Sequence, residues 1–306
     1  MEIHFHADSD GVVSAYFLTR ELERLGVSYK LCPSLGPSVE IEGKLNVALD
    51  LSQVKFKEKE NLVIDHHITK KFEVFHINPR FSGFEWPVSF ITYALFGDIR
   101  EIWIAAIGIV GDWAAEKVPS KFWENMEALY PFLVNSRKQE ELVKGPLGEM
   151  AFMIDSVIAV DRQDGAIYAL KALKYAKDPK SFLSGEGRAK RLKKMAKKIK
   201  EEVETVFGNE TVTENFVLLK FSSKYRIKSL VAARAKEKYP GKLIVVAQEE
   251  KDKIRLSFRG GKELDKLVKE LTCGIGDGGG HEKASGGWIY KEKWREFKRR
   301  LFNKFL

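Results

Sequence analysis

His4, His6, Asp8 and Asp10 stand at alternate positions near the amino terminus and are followed by Gly11. Alternate side chains on an extended strand share one face, so this spacing predicts two imidazoles and two carboxylates projecting together. Such a group is costly without positive charge among its members, and with a glycine permitting a sharp turn it suits a divalent cation. Further acids and imidazoles follow short apolar runs: Asp50 after NVAL, Asp65-His66-His67 after LVI, and Asp112 after GIVG. A carboxylate placed directly after a buried strand does not serve packing. Singly, each of these residues reads as a cap or a turn former. Together they offer enough oxygen and nitrogen ligands for two ions of the Mn or Mg class. A pair of such ions lowers the pKa of a bound water and polarises the oxygens of a bound group.

The elements that must position these residues alternate in type. Short β-like runs at Glu2 to His6, Leu45 to Leu49, Leu62 to Ile64 and Glu73 to Ile77, with a helix-like stretch from Val12 to Leu25, predict a parallel α/β sheet. Ligands of open parallel sheets bind beyond the carboxyl ends of the strands, where Asp8, Asp10, Asp50, Asp65, His66 and His67 all fall. One crevice is expected to collect them. Phe84, Trp86 and Trp113 lie near these motifs and read individually as core, while Asn78-Pro79-Arg80 brings Arg80 toward the same place.

From about Gly185 to Phe207 the chain reads as a basic helix, with eight Lys or Arg among the thirteen residues from Arg188 to Lys200. Strands near Asn215 to Phe221, Leu243 to Gln248 and Lys253 to Arg259 follow, then a helix from about Lys262 to Leu271, a glycine-rich turn and a terminal helix. This predicts a second, smaller α/β domain. Arg255, Ser257 and Arg259 alternate along one strand face and suit a phosphate fork. In the loop from Gly276 to Gly287, Gly278, Gly279 and Gly280 can turn backbone amides toward an anion, with His281 as a further donor.

With 306 residues, 44% hydrophobic and 31% charged, the chain is too apolar for disorder and long enough for one large or two medium domains. The longest apolar run, Ile102 to Val110, is far short of a bilayer span, and the first residues carry no secretion-signal pattern, so a cytoplasmic protein without membrane association is expected. Cys32 and Cys273 are too far apart in sequence to suggest a knuckle or disulfide framework. Charge is divided: residues 1–182 carry 21 Lys or Arg against 26 Asp or Glu, and residues 183–306 carry 31 against 17, a net of −5 and of +14. An acidic metal-binding half joined to a polyanion-binding half accounts for that asymmetry.

The motif order HxHxDxDG, LDLS, DHH and GD, closed by a distal GGGH, resembles the DHH phosphoesterase superfamily with its DHHA1 carboxy-terminal domain. The resemblance runs across almost the whole chain. It implies a DHH catalytic domain over 1–184, a basic linker helix over 185–207 and a DHHA1 substrate-binding domain over 208–306. It also implies that Asp8, Asp10, Asp50, His66 and Asp112 hold two divalent ions, Mn preferred and Mg possible, with Asp50 bridging. Either His4 or His6 completes the set, His6 being favoured. His67 and Asp65 become the catalytic pair, and Arg255, Ser257, Arg259, Gly278, Gly279, Gly280 and His281 the substrate-binding set.

The function expected from this is an exonuclease or oligoribonuclease acting on short RNA or single-stranded DNA, with short oligonucleotides as partners and a homo-oligomer possible. The basic domain would grip the backbone and present a terminal phosphodiester. The alternatives within the same chemistry are a pAp phosphatase or a cyclic-dinucleotide phosphodiesterase. From another class comes a non-catalytic nucleic-acid-binding replication or scaffold protein, which the intact acidic motifs argue against. A family-related pyrophosphatase is disfavoured by the GGGH motif.

Overall fold

The computed structural model describes residues 1–261, 263–280 and 284–305, and the chain divides into two compact units, Met1–Lys197 and Lys198–Leu306. The first unit runs β1 (Glu2–His6), α1 (Ser9–Arg24), β2 (Lys30–Ser34), β3 (Ser38–Ile41), β4 (Val47–Leu49), β5 (Gln53–Phe56), β6 (Leu62–Ile64), β7 (Phe75–Ile77), α2 (Val88–Phe96), α3 (Ile102–Gly111), α4 (Ser120–Leu129), α5 (Gln139–Leu142), α6 (Pro146–Lys174), α7 (Pro179–Ser184) and α8 (Ala189–Glu204), the last crossing into the second unit. Among the described residues no helix is long and apolar enough to cross a membrane.

Five strands form a parallel sheet in the order β2-β1-β4-β6-β7. The chain leaves β1 for one side and returns on the other, so the order reverses between β1 and β4, the place where open α/β sheets collect ligands. The period of two explains how such short strands are held. Ile3, Phe5, Val47, Leu49 and Ile64 turn into the main core with Val12, Val13 and Phe17 of α1, while Ala48 and Val63 turn the other way onto Ile41 and Val54 of the β3–β5 ribbon. Helix α3 is apolar on every side, and Ile102 to Val110 are all buried.

The alternating amino-terminal run does not continue as a strand. It ends at His6 because Asp8 caps α1, its Oδ1 accepting from the Gly11 amide at 2.9 Å, so α1 starts at Ser9 and places Asp10 in its first turn. Only His4 and His6 therefore share a strand face. Strands β2, β3 and β5 were hidden in the sequence. Pro33 breaks the pattern of β2 and is tolerated there because β2 lies at a sheet edge, while SVEI and QVKF are short and polar.

The second unit adds β8 (Thr211–Val212), β9 (Phe216–Ser222), α9 (Lys228–Lys238), β10 (Leu243–Glu249), β11 (Lys253–Arg259), α10 (Leu264–Thr272), β12 (Gly276–Gly280), β13 (Ala284–Tyr290) and α11 (Trp294–Phe305). Its six-stranded sheet runs β12-β13-β11-β10-β9-β8, parallel only between β9 and β10. Phe216, Val245, Leu256, Phe258, Leu267 and Phe297 anchor its core. The glycine-rich segment, expected as a turn, contains strand β12. A side chain at Gly278 would meet Val268 Cγ1 at 2.5 Å, so glycine lets α10 lie against the strand pair.

Counted by unit, the charge is 27 against 27 in residues 1–197 and 25 Lys or Arg against 16 Asp or Glu in residues 198–306. The excess is thus +9 in the second unit, and the amino-terminal part of α8 neutralises the first.

Gly11 is where fold and site meet, since a Cβ there would lie 2.0 Å from the His6 carbonyl oxygen, which is backbone and cannot swing away. Although alanine is ordinarily the better helix former, Gly11→Ala is expected to destabilise the chain by about 1–3 kcal/mol or more through this overlap. Urea unfolding reads the change, and a variant as stable as the parent would contradict it.

Candidate functional site

Three strand ends, the first turn of α1 and the carboxyl end of α3 supply the site. His6 closes β1 and Asp8 follows it; Asp50 follows β4; Asp65, His66 and His67 follow β6; Asp112 caps the carboxyl end of α3. The ligand atoms fall into three overlapping groups: His6 with Asp8 and Asp50, Asp50 with His66 and His67, and Asp10 with His66 and Asp112. Asp50 belongs to two of them. His6 Nδ1 lies 2.6 Å from Asp8 Oδ2 and 3.5 Å from Asp50 Oδ2, while His66 Nε2 lies 3.4 Å from Asp50 Oδ1 and 3.7 Å from Asp112 Oδ2. Asp50 is 3% exposed, and its backbone is in the left-handed region at φ 57°, which an aspartate tolerates better than most side chains.

Asp10 is buried in the first turn of α1 and takes the amides of Val88 at 3.0 Å and Ser89 at 2.9 Å at the start of α2. Each carboxylate oxygen keeps a second lone pair for an ion. Asp65, fully buried, accepts from the His67 amide at 3.2 Å and lies 2.7 Å from His67 Nδ1. It holds that ring with Nε2 as the remaining nitrogen. Arg80 Nε donates to the His66 carbonyl at 2.5 Å and Arg80 pairs with Glu85, so it braces the DHH loop.

His4 is not brought to this cluster. Its Nε2 lies 3.1 Å from Glu2 Oε2, and it groups with Glu2 and Cys32, one strand period back from His6. Burial pushes the His4 imidazole down, against the pull of Glu2. Phe84 and Trp113, expected in the core, are 48% and 46% exposed; Trp86 is half-buried against the core.

The electrostatics describe a group of side chains that lacks cations. Burial, with Asp50 and Asp112 beside it, raises Asp10 well above the carboxylate range, and burial lifts Asp112 to about 6. Burial alone would push the imidazoles down. The Asp8 and Asp50 carboxylates nonetheless hold His6 well above its ordinary value, and Asp112 and Asp50 hold His66 at about 10. Asp50 itself is depressed, because the His6 and His66 contacts outweigh its burial. Protons here occupy the place of positive charge. Asp50 Oδ1 is a buried oxygen with no hydrogen bond. An all oxygen-and-imidazole donor set with such an oxygen at its centre fits divalent ions of the Mn or Mg class.

One residue of this region is invisible in the sequence pattern. Asp155, on α6, has its carboxyl pushed up to about 7 by burial and by the Asp8 carboxylate, while hydrogen bonds from Ser9 pull the other way. It stands among buried residues of α6 with no motif around it, and the packing of α6 on α1 brings it near Ser9.

In the second unit β11 turns Ile254, Leu256 and Phe258 into the core, leaving Arg255, Ser257 and Arg259 on the opposite face. Lys228, at the start of α9, joins them: its Nζ is 3.9 Å from where a Gly286 Cβ would stand, and Gly286 is the register partner of Ser257. Burial, followed by Arg259, Arg226 and Arg255, pushes the Lys228 amine down to about 8, and burial lowers Arg259 to about 10. Glu250, 3.1 Å from Arg255, is a carboxylate partner there. Gly279 and Gly280 lie in β12, and His281 lies outside the described residues.

The DHHA1 domain family matches residues 214–306. Over 98% of this chain the fold is similar to RecJ from Thermus thermophilus, solved in complex with Mn2+, at a TM-score of 0.65 and 15% identity. The chain spans about half of that protein, 51% of its length. The DHH domain of a protein assigned to a ribosomal-protein family is similar over 99% of this chain and 85% of its own, at a TM-score of 0.68 and 18% identity. A pGpG-specific phosphodiesterase, PggH from Vibrio cholrae, is similar over 99% and 98%, at 0.52 and 14%. No curated protein matches the sequence. Residues 214–306 are thus matched by the DHHA1 domain family, and over nearly the whole chain the fold is that of these RecJ and DHH-domain structures.

Asp155 makes stability depend on pH. With its carboxyl raised from 3.8 to about 7, the folded metal-free chain holds a proton that the unfolded chain releases. That stabilisation is complete below about pH 4 and is lost as pH rises through 7, at up to about 1.4 kcal/mol per unit. Urea unfolding of the metal-free chain at several pH values is expected to show a shallower decline for Asp155→Asn than for the parent. Parallel profiles would disprove the assignment.

Proposed function

We propose that this chain is a metal-dependent phosphodiesterase that removes terminal nucleotides from short RNA or single-stranded DNA. The observation that carries the reading is Asp50, a buried carboxylate shared by two ligand groups, with His6 and Asp8 on one side and His66 on the other. In this reading His6, Asp8 and Asp50 hold one divalent ion, and Asp50, Asp10, His66 and Asp112 hold the second. When bound, two such ions supply charge compensation at the phosphoryl group and a water acidic enough to attack at neutral pH.

The chain's own residues do the remaining work. The amides at the start of α2 fix the Asp10 carboxylate, so it does not reorganise as charge develops. Asp65 orients the His67 ring, and an imidazole so held is suited to giving a proton to the departing oxygen. In the second unit Lys228, Arg255 and Arg259 gather cationic charge that favours a phosphate. The +9 excess of that unit and the basic helix α8 favour a polyanion over a single small nucleotide.

End-labelled RNA and DNA oligomers incubated with Mn are the direct test. Hydrolysis is expected to fall at least a thousandfold in Asp50→Asn, and Mn is expected to stop raising the melting temperature of that variant. Lys228→Ala should weaken oligonucleotide binding and reduce the slope of log K against log salt by about one. Activity confined to pAp or to a cyclic dinucleotide would replace the polymer reading. Metal-independent strand binding without hydrolysis would replace the enzyme reading.

A further inference from the structure

Trp113 directly follows Asp112, whose carboxylate belongs to the ligand cluster. Its backbone is left-handed at φ 58°, with its amide on the Val110 carbonyl at 3.2 Å, the type of position after a helix that glycine ordinarily fills. A non-glycine residue there costs about 1–2 kcal/mol, yet the position holds a tryptophan whose indole is 46% exposed.

A second aromatic stands on a loop tied to the same place. Phe84, 48% exposed, stacks on Trp86 with ring centroids 4.5 Å apart and planes at 21°, and Trp86 in turn meets Phe90 edge-on at 5.4 Å. The loops are joined by one chain of charges. Glu85 pairs with Lys117 beyond Trp113 and with Arg80, and Arg80 donates to the His66 carbonyl of the DHH loop. Both exposed rings are thus borne on segments anchored at the cluster: one by covalent adjacency to Asp112, the other by Arg80.

We propose that Trp113 and Phe84 form a stacking rim that takes the unpaired nucleobase of the nucleotide being cleaved. This rests on the phosphodiesterase reading and adds a specificity element to it. The chemistry favours a base over an aliphatic or peptide ligand. Aromatic side chains on segments tied to a cluster suited to a phosphate match a nucleotide, in which an aromatic face is joined to a phosphodiester. Stacking is tolerant of base identity, because every base has a π-face, and contributes about 1–3 kcal/mol per base. It also selects against duplex ends, where that face is covered by the next pair.

The experiment compares an oligonucleotide with a normal terminal nucleotide and one carrying a tetrahydrofuran abasic residue at that end. Binding is measured by anisotropy without metal, and cleavage with Mn. The parent is expected to favour the base-bearing oligomer about tenfold in affinity. Trp113→Gly should bring that ratio close to one while keeping the fold, read by circular dichroism, because glycine suits the left-handed backbone. Trp113→Phe should keep most of the preference, and Phe84→Ala should lose part of it. A ratio unchanged in Trp113→Gly overturns the proposal, as does equal loss of affinity for both oligomers. A second copy of this chain as the true occupant would appear as a dimer that Trp113→Gly dissociates, with the base preference intact. Because binding is read without metal, absence of Mn-dependent cleavage would count against the phosphodiesterase reading separately.

Discussion

The first unit is organised around the difficulty of burying like charges. Asp10, Asp50, Asp65 and His66 are each 5% exposed or less, and Asp112 stands against them. An unpaired buried charge is destabilising by several kcal/mol, so each must be met by a donor, a proton or an ion. The surroundings of the cluster follow from that requirement. Two amides at the start of α2 meet Asp10, two imidazoles meet Asp50, and Asp65 is committed to His67. The remaining imbalance appears as carboxyls that hold protons near neutrality and imidazoles that hold them well above it.

The location is set by topology. Parallel strands deliver all their carboxyl ends to one edge, and reversal of strand order between β1 and β4 leaves room there. Strands of three residues suffice because β4 and β6 bury both faces, against the helices and against the small ribbon. Asp50 and Trp113, the latter next to Asp112, have left-handed backbone, as do Leu45, Arg162 and Glu263 elsewhere.

The second unit applies the inverse arrangement. Lysine and arginines gather on the face of β11 away from the core, with burial lowering Lys228 and Arg259, and an anion is the group that would relieve them. Its glycines have two separable roles. Gly278 is required by the approach of Val268 from α10, a packing reason, whereas Gly286 leaves the space beside Lys228 open. A run that reads as one anion-binding loop is in the fold part of a strand pair covered by a helix.

What the sequence by itself determined is the set of acids and imidazoles that could act together and their order. Acids and imidazoles after apolar runs have few structural uses, so His6, Asp8, Asp10, Asp50, His66 and Asp112 were legible, as was the class of fold that gathers strand ends. Tertiary structure decided what depends on contacts between distant segments. Local spacing left His4 and His6 equivalent, and they separate because β1 ends and Asp8 caps α1. Asp155 and Lys228 were not legible, since no periodicity marks them; helix packing brings one near Ser9 and places the other beside Arg255 and Arg259. The exposure of Trp113 and Phe84 likewise contradicted their apolar character, because burial is a property of the assembled chain, whereas hydrophobicity belongs to the residue.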